Sequence, residues 1–252
     1  MVSINSRHID NVTTQASDAI TLSTINAIVR KINKQKLDDN TNPLLTYKAV
    51  LDGKLLYDYN KVLEIFKDGK ISEEEFERRL DSKFPTDVEL KLKKNTQVVM
   101  VKNDPAKRWA NGSLGKVTKI DDNSIKVKIN NKVYSINRET WEQIDYQYDI
   151  KTEQLKSNSK GKFIQYPLKP AYAMTIHKSQ GKTFDKVVVY IASGAFAHGQ
   201  IYVALSRCTT LEGLTLNREI TQKDVIVDQA IVNFIIIVRT KFNLDSMQPY
   251  SS

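Results

Sequence analysis

The sequence predicts an α/β protein with a small β-rich insertion. Residues 19–22 are a short apolar segment followed by a polar turn and residues with helical spacing. Residues 187–191 are a second apolar segment, entered from a polar loop that contains glycine and followed by a short helix candidate. That alternation of strand, turn and helix is typical of α/β folds. Between these segments, several brief strands separated by tight turns indicate a small barrel. The chain has 252 residues, which suffices for one large domain or two modest ones.

Composition and charge limit the class of protein. Apolar residues make up 40% and charged residues 27% of the chain, as in an ordinary soluble globular protein. The net charge of +9 favours a polyanionic partner, although a basic protein without such a partner fits equally well. Cys208 is the sole cysteine, which excludes an internal disulfide and any multi-cysteine metal site. The three histidines lack metal-ligand spacing, so we expect no metal site.

The sequence also bears on where the protein resides. The N-terminus has no apolar segment of the kind found in signal peptides. The longest apolar run, residues 234–238, is far too short to span a bilayer. We therefore expect no membrane association, and a reducing cytoplasm is the natural compartment.

The first third of the chain predicts one strand and three helices. Residues 19–22 form the strand, and either Ser23 or Thr24 caps the helix that follows. Residues 34–58 are polar and irregular. A helical hairpin follows at about residues 59–82, and Ser72 and Glu75 are spaced as a capping box at the start of its second helix. This hairpin superficially resembles a calcium-binding EF-hand, but an apolar residue occupies a position that needs an oxygen ligand.

The insertion and the C-terminus follow. Strands are predicted over residues 96–102, 115–120, 124–129 and 132–136. From residue 91 to 138 there are twelve Lys or Arg against three Asp or Glu, so this part is either a solvated barrel surface or a basic lobe that lies along a phosphate backbone. Residues 156–162 are small, polar and basic, and they predict a mobile return to the main domain. Thr221 is expected to cap a helix to about residue 239 that is apolar nearly all round and therefore packed on two sides.

The chemistry is concentrated in residues 165–214. Residues 175–183 read TIHKSQGKT and precede an apolar strand, whereas residues 200–208 read QIYVALSRC and suit a short helix with one arginine. A glycine-bearing polar loop beside an arginine suits a site that handles phosphates. The loop is not a Walker A sequence, because Ile176 stands where the first glycine is required and a strand follows Thr183. No convincing Walker B strand occurs either, so the chain carries no complete nucleotide-binding core.

These two segments resemble motifs V and VI of the superfamily 1 DNA helicases that move 5′ to 3′, the RecD, Dda and Pif group. Residues 24–26 resemble motif IV, and residues 97–117 resemble the pattern that leads into an SH3-like barrel in those helicases, with Asn95 near the position of their usual glycine. The resemblance implies a second RecA-like helicase domain made of residues 1–91 and 164–252. Residues 92–163 would form the inserted SH3-like β-barrel.

The resemblance also implies roles for individual residues. Arg207 would be the catalytic arginine finger, and Gln180 and Gly181 would share the nucleotide site with it. The residues implied in DNA binding are Thr24, Asn26, Asn103, Thr175, His177, Lys178 and Ser179. ATP with Mg²⁺ would be held mainly by a first, N-terminal RecA-like domain of the same protein, and single-stranded DNA would be the other partner. The protein would be cytoplasmic and associated with the nucleoid, and this part alone would hydrolyse no ATP.

Two other interpretations stay open. A non-enzymatic basic module that binds single-stranded nucleic acid would have the same charge, and a degenerate helicase remnant would have the same motifs. Taken singly, His177 is compatible with an ordinary loop histidine and Arg207 with a surface salt bridge.

Overall fold

A computed structural model of the chain describes residues 2–10, 19–149, 153–191 and 197–242. The chain divides into two compact units. The first unit combines Met1–Val29 with Met174–Ser252, and the second is Arg30–Ala173. Among the helices in the described ranges, none is both long and apolar enough to cross a bilayer.

The chain forms six α-helices and fourteen strands within the described residues. The helices are α1 (Val2–Asn5), α2 (Asn26–Asp38), α3 (Gly53–Lys67), α4 (Glu73–Lys83), α5 (Gln200–Leu205) and α6 (Gln229–Phe242). The first strands are β1 (Ile20–Ser23), β2 (Leu45–Lys48), β3 (Val50–Leu51), β4 (Glu89–Leu92), β5 (Gln97–Met100), β6 (Leu114–Asp121) and β7 (Ser124–Ile129). The remaining strands are β8 (Lys132–Ile136), β9 (Glu139–Asp149), β10 (Gln154–Gln165), β11 (Leu168–Pro170), β12 (Ala173–Thr175), β13 (Val187–Tyr190) and β14 (Leu214–Leu216).

The first unit contains a four-stranded sheet in the order β12-β1-β13-β14. β13 runs parallel to both β1 and β14. Its register aligns Leu22 with Val189 and Leu216, and all three side chains are fully buried. Short apolar strands of this kind are typical of a parallel sheet covered on its faces. The strands predicted near residues 19–22 and 187–191 are confirmed, and the chain is a mixed α/β protein.

The second unit contains a five-stranded sheet in the order β11-β5-β6-β7-β8, in which all neighbours are antiparallel. Its core consists of alternate residues of these strands, among them Val98, Val117, Val127 and Ile136. The four predicted strands are confirmed, and two of them have the predicted bounds. In the residues that the structure describes, β8 and β11 are edge strands that do not pair with each other, so the sheet is not a closed barrel.

The helical hairpin is also present, as α3 and α4. The Ser72 hydroxyl accepts a hydrogen bond from the Glu75 N–H, as the capping pattern predicted. Phe66 and Phe76 stack between the helices with ring centroids 4.5 Å apart. The prediction that residues 34–58 are irregular is wrong, because they contain the end of α2, strands β2 and β3 and the start of α3.

The predicted mobile return at residues 156–162 is wrong as well. These residues lie in β10, which pairs with β9 along a long antiparallel hairpin. β10 is anchored at its base by Phe163, a fully buried side chain packed against Phe84 and Trp141. Gly161 lies so close to the start of α3 that an added Cβ would overlap the Asp52 carbonyl. The small polar residues of this segment favour a loop by local propensity. Pairing with β9 and the packing of Phe163 outweigh that propensity and make the segment a strand.

The C-terminal helix differs from its prediction. Thr221 caps only a 3-10 turn, Gln222–Asp224, and α6 begins later at Gln229. The apolar side chains of α6 were expected to be packed on two sides, yet Phe234 is 65% exposed and Ile237 is 62% exposed. Within the described residues, α6 therefore carries an apolar surface that the rest of the chain does not bury.

Candidate functional site

The loop after β12 is shaped by two buried hydroxyls. The Thr175 hydroxyl accepts a hydrogen bond of 3.3 Å from the Lys178 N–H, and the Ser179 hydroxyl donates one of 2.7 Å to the Ile176 carbonyl. These bonds close a 3-10 turn at His177–Ser179. The Ile176 N–H donates to the Ser23 carbonyl over 3.0 Å, so the turn lies beside the end of β1. The local sequence thus folds into a turn that its own hydroxyls bond to the backbone.

This turn separates the predicted DNA-binding residues into two groups. His177 and Lys178 are exposed, whereas Thr175 and Ser179 are buried. A hydroxyl that is buried and already bonded within the turn does not reach a ligand unless the turn opens. The DNA-binding roles of these residues stay predictions, and the exposed pair has the direct access to solvent.

Gln180 and Gly181 continue the loop on the surface. Both are exposed. Gly181 has φ of +74°, and no atom lies within 4 Å of the position that a Cβ would occupy. Glycine suits this left-handed conformation, and the open space beside it leaves the backbone accessible to a ligand. The Lys182 N–H then donates to the Ser179 carbonyl over 3.0 Å and closes the turn.

Arg207 is held next to this loop by backbone pairing. α5 packs through Ile201 and Ala204, which are buried, and the Arg207 N–H donates to the Ala204 carbonyl over 3.2 Å. The Arg207 carbonyl in turn accepts a hydrogen bond of 2.8 Å from the Phe184 N–H. The end of the glycine loop and the residue after α5 are therefore fixed side by side.

The Arg207 guanidinium contacts only neutral acceptors. Its Nε donates to the Val203 carbonyl at 3.0 Å, its Nη1 to the Lys182 carbonyl at 3.0 Å, and its Nη2 to the Ser206 hydroxyl at 2.9 Å. The side chain is half-buried, and in the described part of the chain no carboxylate forms an ion pair with it. The guanidinium is thus held against the Lys182 carbonyl, and the described residues supply no negative charge to pair with it.

The polar residues after β1 lie in the same unit. The sequence left open whether Ser23 or Thr24 caps α2. The Ser23 hydroxyl accepts a hydrogen bond of 3.3 Å from the N–H of Ile25, the residue before α2, so it closes a turn ahead of the helix and does not cap it. The Thr24 hydroxyl oxygen is buried and has no hydrogen-bond partner within the described ranges. Asn26, the first residue of α2, is exposed.

Comparison with known proteins points to one group of enzymes. A family model named Herpes_Helicase, described as a helicase, matches residues 151–241. The ATP-dependent DNA helicase Pif1 of Bdellovibrio bacteriovorus is 34% identical over 151 residues, which is 60% of this chain and 32% of that protein. The ATP-dependent DNA helicase Pif1 of Campylobacter jejuni is 30% identical over 195 residues, which is 76% of this chain and 40% of that protein.

Solved structures give the same result. Unliganded Pif1 from Bacteroides sp. superposes with a TM-score of 0.75 at 30% identity, covering 95% of this chain and 50% of that one. Over the matched residues, this chain is Pif1-like. Bacteroides Pif1 in complex with ADP-AlF3 and ssDNA has a TM-score of 0.68 at 31% identity, covering 96% of this chain and 50% of that one. The mixed α/β architecture therefore resembles the RecA-like Pif1 helicase domain, and the chain spans about half the length of these structures.

Asn103 lies in the second Pif1-like unit and organises a loop. Its side-chain oxygen accepts a hydrogen bond of 2.7 Å from the Asn111 N–H. The neighbouring Asp104 carboxylate is buried and receives two bonds from the Arg108 guanidinium, at 2.6 and 2.8 Å. These charge-assisted bonds lower the pKa of Asp104 to about 2. The Arg108 guanidinium lies over the Trp109 ring, 4.6 Å from its centroid.

Sequence reasoning missed some of this geometry. The Asp104–Arg108 pair was not foreseen, although the aspartate and the arginine are spaced four residues apart as in many local ion pairs. Tyr202 on α5 is 76% exposed, so its aromatic ring does not pack the helix down, whereas Ile201 and Ala204 are buried. Among the described residues, no group of three or more His, Cys, Asp and Glu is placed to hold a metal ion.

Proposed function

We propose that this chain is the C-terminal part of an ATP-dependent DNA helicase or translocase of the Pif1 kind. The observation that carries the proposal is the Arg207 guanidinium, which donates to the carbonyl of Lys182, directly after Gln180 and Gly181, and has no carboxylate partner among the described residues. An arginine keeps its charge at any physiological pH and presents a fixed fork of donors. Such a group suits the charge that develops on a γ-phosphate during hydrolysis.

The nucleotide in this proposal is bound mostly elsewhere. ATP and Mg²⁺ are held by an N-terminal RecA-like domain that carries the Walker sequences, and this chain contributes Arg207, Gln180 and Gly181 from the opposite side. The support is the absence of a Walker A sequence here together with the helicase names of the relatives, of which this chain spans less than half. The chain alone is therefore expected to hydrolyse no ATP.

Single-stranded DNA is the proposed track. The exposed side chains of His177, Lys178 and Asn26 are the first contacts that we propose, since donors of these kinds bind phosphate oxygens and sugars. Thr24, Asn103, Thr175 and Ser179 are proposed as further contacts of the same track or as residues that shape it. Structures of Bacteroides Pif1 are described as bound to ssDNA, which supports this choice of ligand.

The domain organisation belongs to the same proposal. Residues 1–91 and 164–252 act as the second RecA-like domain, and residues 92–163 correspond to an SH3-like insertion, which supplies strands β5 to β8 of the open antiparallel sheet. The direction of movement is 5′ to 3′, as in the related group. The protein acts in the cytoplasm, in association with the nucleoid.

The test is an arginine substitution in the chain joined to a Pif1-type N-terminal half. Arg207→Ala is expected to lower ATP turnover about 10³-fold, because arginine fingers contribute that much or more. Affinity for single-stranded DNA should persist, because the exposed loop is unchanged. Arg239→Ala on α6 is the matched control, since it removes an exposed arginine from the same unit.

Two results would contradict the proposal. If Arg207→Ala and Arg239→Ala turned over ATP equally well, the arginine would not act on the nucleotide, and a non-enzymatic DNA-binding module or a degenerate helicase remnant would be the better description. If the purified 252-residue chain by itself showed DNA-stimulated ATPase activity, its dependence on a second half would be wrong.

A further inference from the structure

Four exposed lysines occupy the outer surface of β6 and β7. We call this surface the lysine face, and it consists of Lys116, Lys119, Lys126 and Lys128. The strand register places Lys116 directly opposite Lys128, and Lys119 directly opposite Lys126. The other side of the same two strands is buried in the core of the second unit. The face is therefore made of two adjacent lysine pairs.

A β-bulge produces this arrangement. Lys116 and Lys119 are three residues apart, so they would point to opposite sides of a regular strand. The register shifts between Val117 and Lys119, and the extra residue, Thr118, returns Lys119 to the outer side. The Thr118 hydroxyl donates a hydrogen bond of 3.1 Å to the Lys126 carbonyl across the strands.

The lysine pairs oppose the stability of the sheet. Like charges directly opposite each other in a sheet are destabilising. Asp121 is an acidic neighbour of the face: its Oδ2 lies 3.9 Å from the Lys119 Nζ and already accepts a hydrogen bond of 2.8 Å from the Ser124 hydroxyl. In the described parts of the chain, no carboxylate forms an ion pair with Lys116, Lys126 or Lys128.

The adjoining strand does not neutralise the face either. On β8, Ser135 pairs with Lys126 and Val133 pairs with Lys128, and both are uncharged. Val133 is an exposed apolar residue in this row. Tyr134 pairs with Val127 on the core side of the sheet and packs against Trp109, so its ring does not lie on the lysine face. The lysine face thus presents cations in rows, without groups that would read bases.

We infer that the lysine face binds the phosphate backbone of a nucleic acid, independently of base sequence and separately from the loop of His177 in the first unit. Lysines on one side of a strand repeat about every 6.8 Å, so the face presents a regular row of cations to a regular row of phosphates. A bound backbone would also remove the repulsion within each pair. The inference does not depend on ATP hydrolysis by the proposed helicase.

The test measures salt-dependent binding by the 252-residue chain. Fluorescence anisotropy is followed with labelled oligo-dT and with a labelled duplex, each of about 20 nucleotides per strand, between about 50 and 200 mM salt. The variant is Lys126→Gln with Lys128→Gln. The matched control is Lys61→Gln with Lys67→Gln, which removes two exposed lysines from α3 in the same unit.

The expected change is in the slope of log affinity against log salt concentration. Two lost phosphate contacts should reduce the slope by about 1.4 on the single strand or by about 1.8 on the duplex, and the control should leave it unchanged. The probe whose slope falls by the full amount expected of two contacts on that form identifies the natural form of the backbone. Equal loss in the variant and the control would overturn the inference, since net charge alone would then explain binding. Binding of poly-glutamate that equals binding of DNA, and falls equally in the variant, would also overturn it.

A second measurement separates binding from folding. The variant leaves one lysine in each pair, so its melting temperature should equal or exceed that of the unmodified chain. A lower melting temperature together with weaker binding would overturn the inference, because the lysines would then serve the fold. His177→Ala with Lys178→Ala should weaken single-strand binding while leaving the contribution of Lys126 and Lys128 intact, so failure of the proposed helicase site and failure of the lysine face are distinguishable.

Discussion

Asp224 makes the most heavily bonded ion pair in the described part of the first unit. Its carboxylate accepts bonds of 2.6 and 2.9 Å from the Arg218 guanidinium, and two of 2.8 Å from the N–H and hydroxyl of Thr221. The Asp224 side chain is 4% exposed and that of Arg218 is 32% exposed. Asp224→Asn keeps the shape of the side chain, removes its charge and leaves a single acceptor oxygen.

The expected cost follows from these bonds. Hydrogen bonds to charged groups contribute about 1.5–3 kcal/mol each, and partial exposure of Arg218 favours the lower end for its share. We therefore expect Asp224→Asn to lower the free energy of unfolding by roughly 2–3 kcal/mol at neutral pH. At about 2–4 °C per kcal/mol for a chain of this size, the melting temperature should fall by several degrees. Glu219→Gln is the control, because Glu219 is exposed.

The pH dependence gives the sharper test, by differential scanning calorimetry. Hydrogen bonds from Arg218 hold the pKa of Asp224 well below its usual range. A lowered carboxyl pKa stabilises the fold above the unfolded pKa of about 3.9, and that stabilisation is lost as the pH falls towards the folded pKa. The gap between the unmodified chain and Asp224→Asn should therefore narrow below about pH 4. A gap that stays constant with pH, or equal melting temperatures for Asp224→Asn and Glu219→Gln, would refute the reasoning.

Three further predictions concern packing and the loop. Val189→Ala should lower the free energy of unfolding by roughly 2 kcal/mol in urea titration, since the side chain is fully buried in the sheet; a loss below about 0.5 kcal/mol would contradict that burial. Gly161→Ala should destabilise by about 1–3 kcal/mol because the methyl group meets the Asp52 carbonyl; an unchanged melting temperature would be inconsistent with that contact. Ser179→Ala should cost about 1 kcal/mol and weaken single-strand binding through the turn it closes, and unchanged anisotropy titrations would separate the hydroxyl from the DNA site.

Much of the fold follows from local sequence patterns. The apolar run of β13 is buried, and along β7 the buried residues Ile125, Val127 and Ile129 alternate with exposed lysines. Ser72 caps α4 because a hydroxyl three residues before a backbone N–H suits the start of a helix. These features rest on neighbours in the chain, so the sequence alone reveals them.

Other elements depend on residues distant in the chain. β10 consists largely of small and polar residues, and it is a strand because β9 pairs with it and Phe163 anchors it. β2 pairs with β4, more than forty residues later, which no local pattern indicates. The apolar pattern of α6 predicted burial, yet the described chain supplies no surface that covers it.

The candidate site divides in the same way. The resemblance to helicase motifs singled out Arg207 and the loop before it, and the structure places their backbones together. The sequence could not show that the Ser179 hydroxyl is used inside the turn, because that depends on burial. The same holds for the side-chain contacts of Arg207, which come from three separate positions.

The exposure of α6 has a consequence for the dissolved chain. A helix of fourteen residues is marginal in water unless other parts of the molecule support it. Its amide hydrogens should therefore exchange with deuterium quickly, by local fraying of the helix. The amide hydrogens of β13 should exchange slowly, because their exchange requires the whole sheet to open. The exposed apolar side chains of α6, such as Phe234 and Ile237, would make concentrated solutions prone to self-association. Mild detergent or a covering protein surface should suppress it.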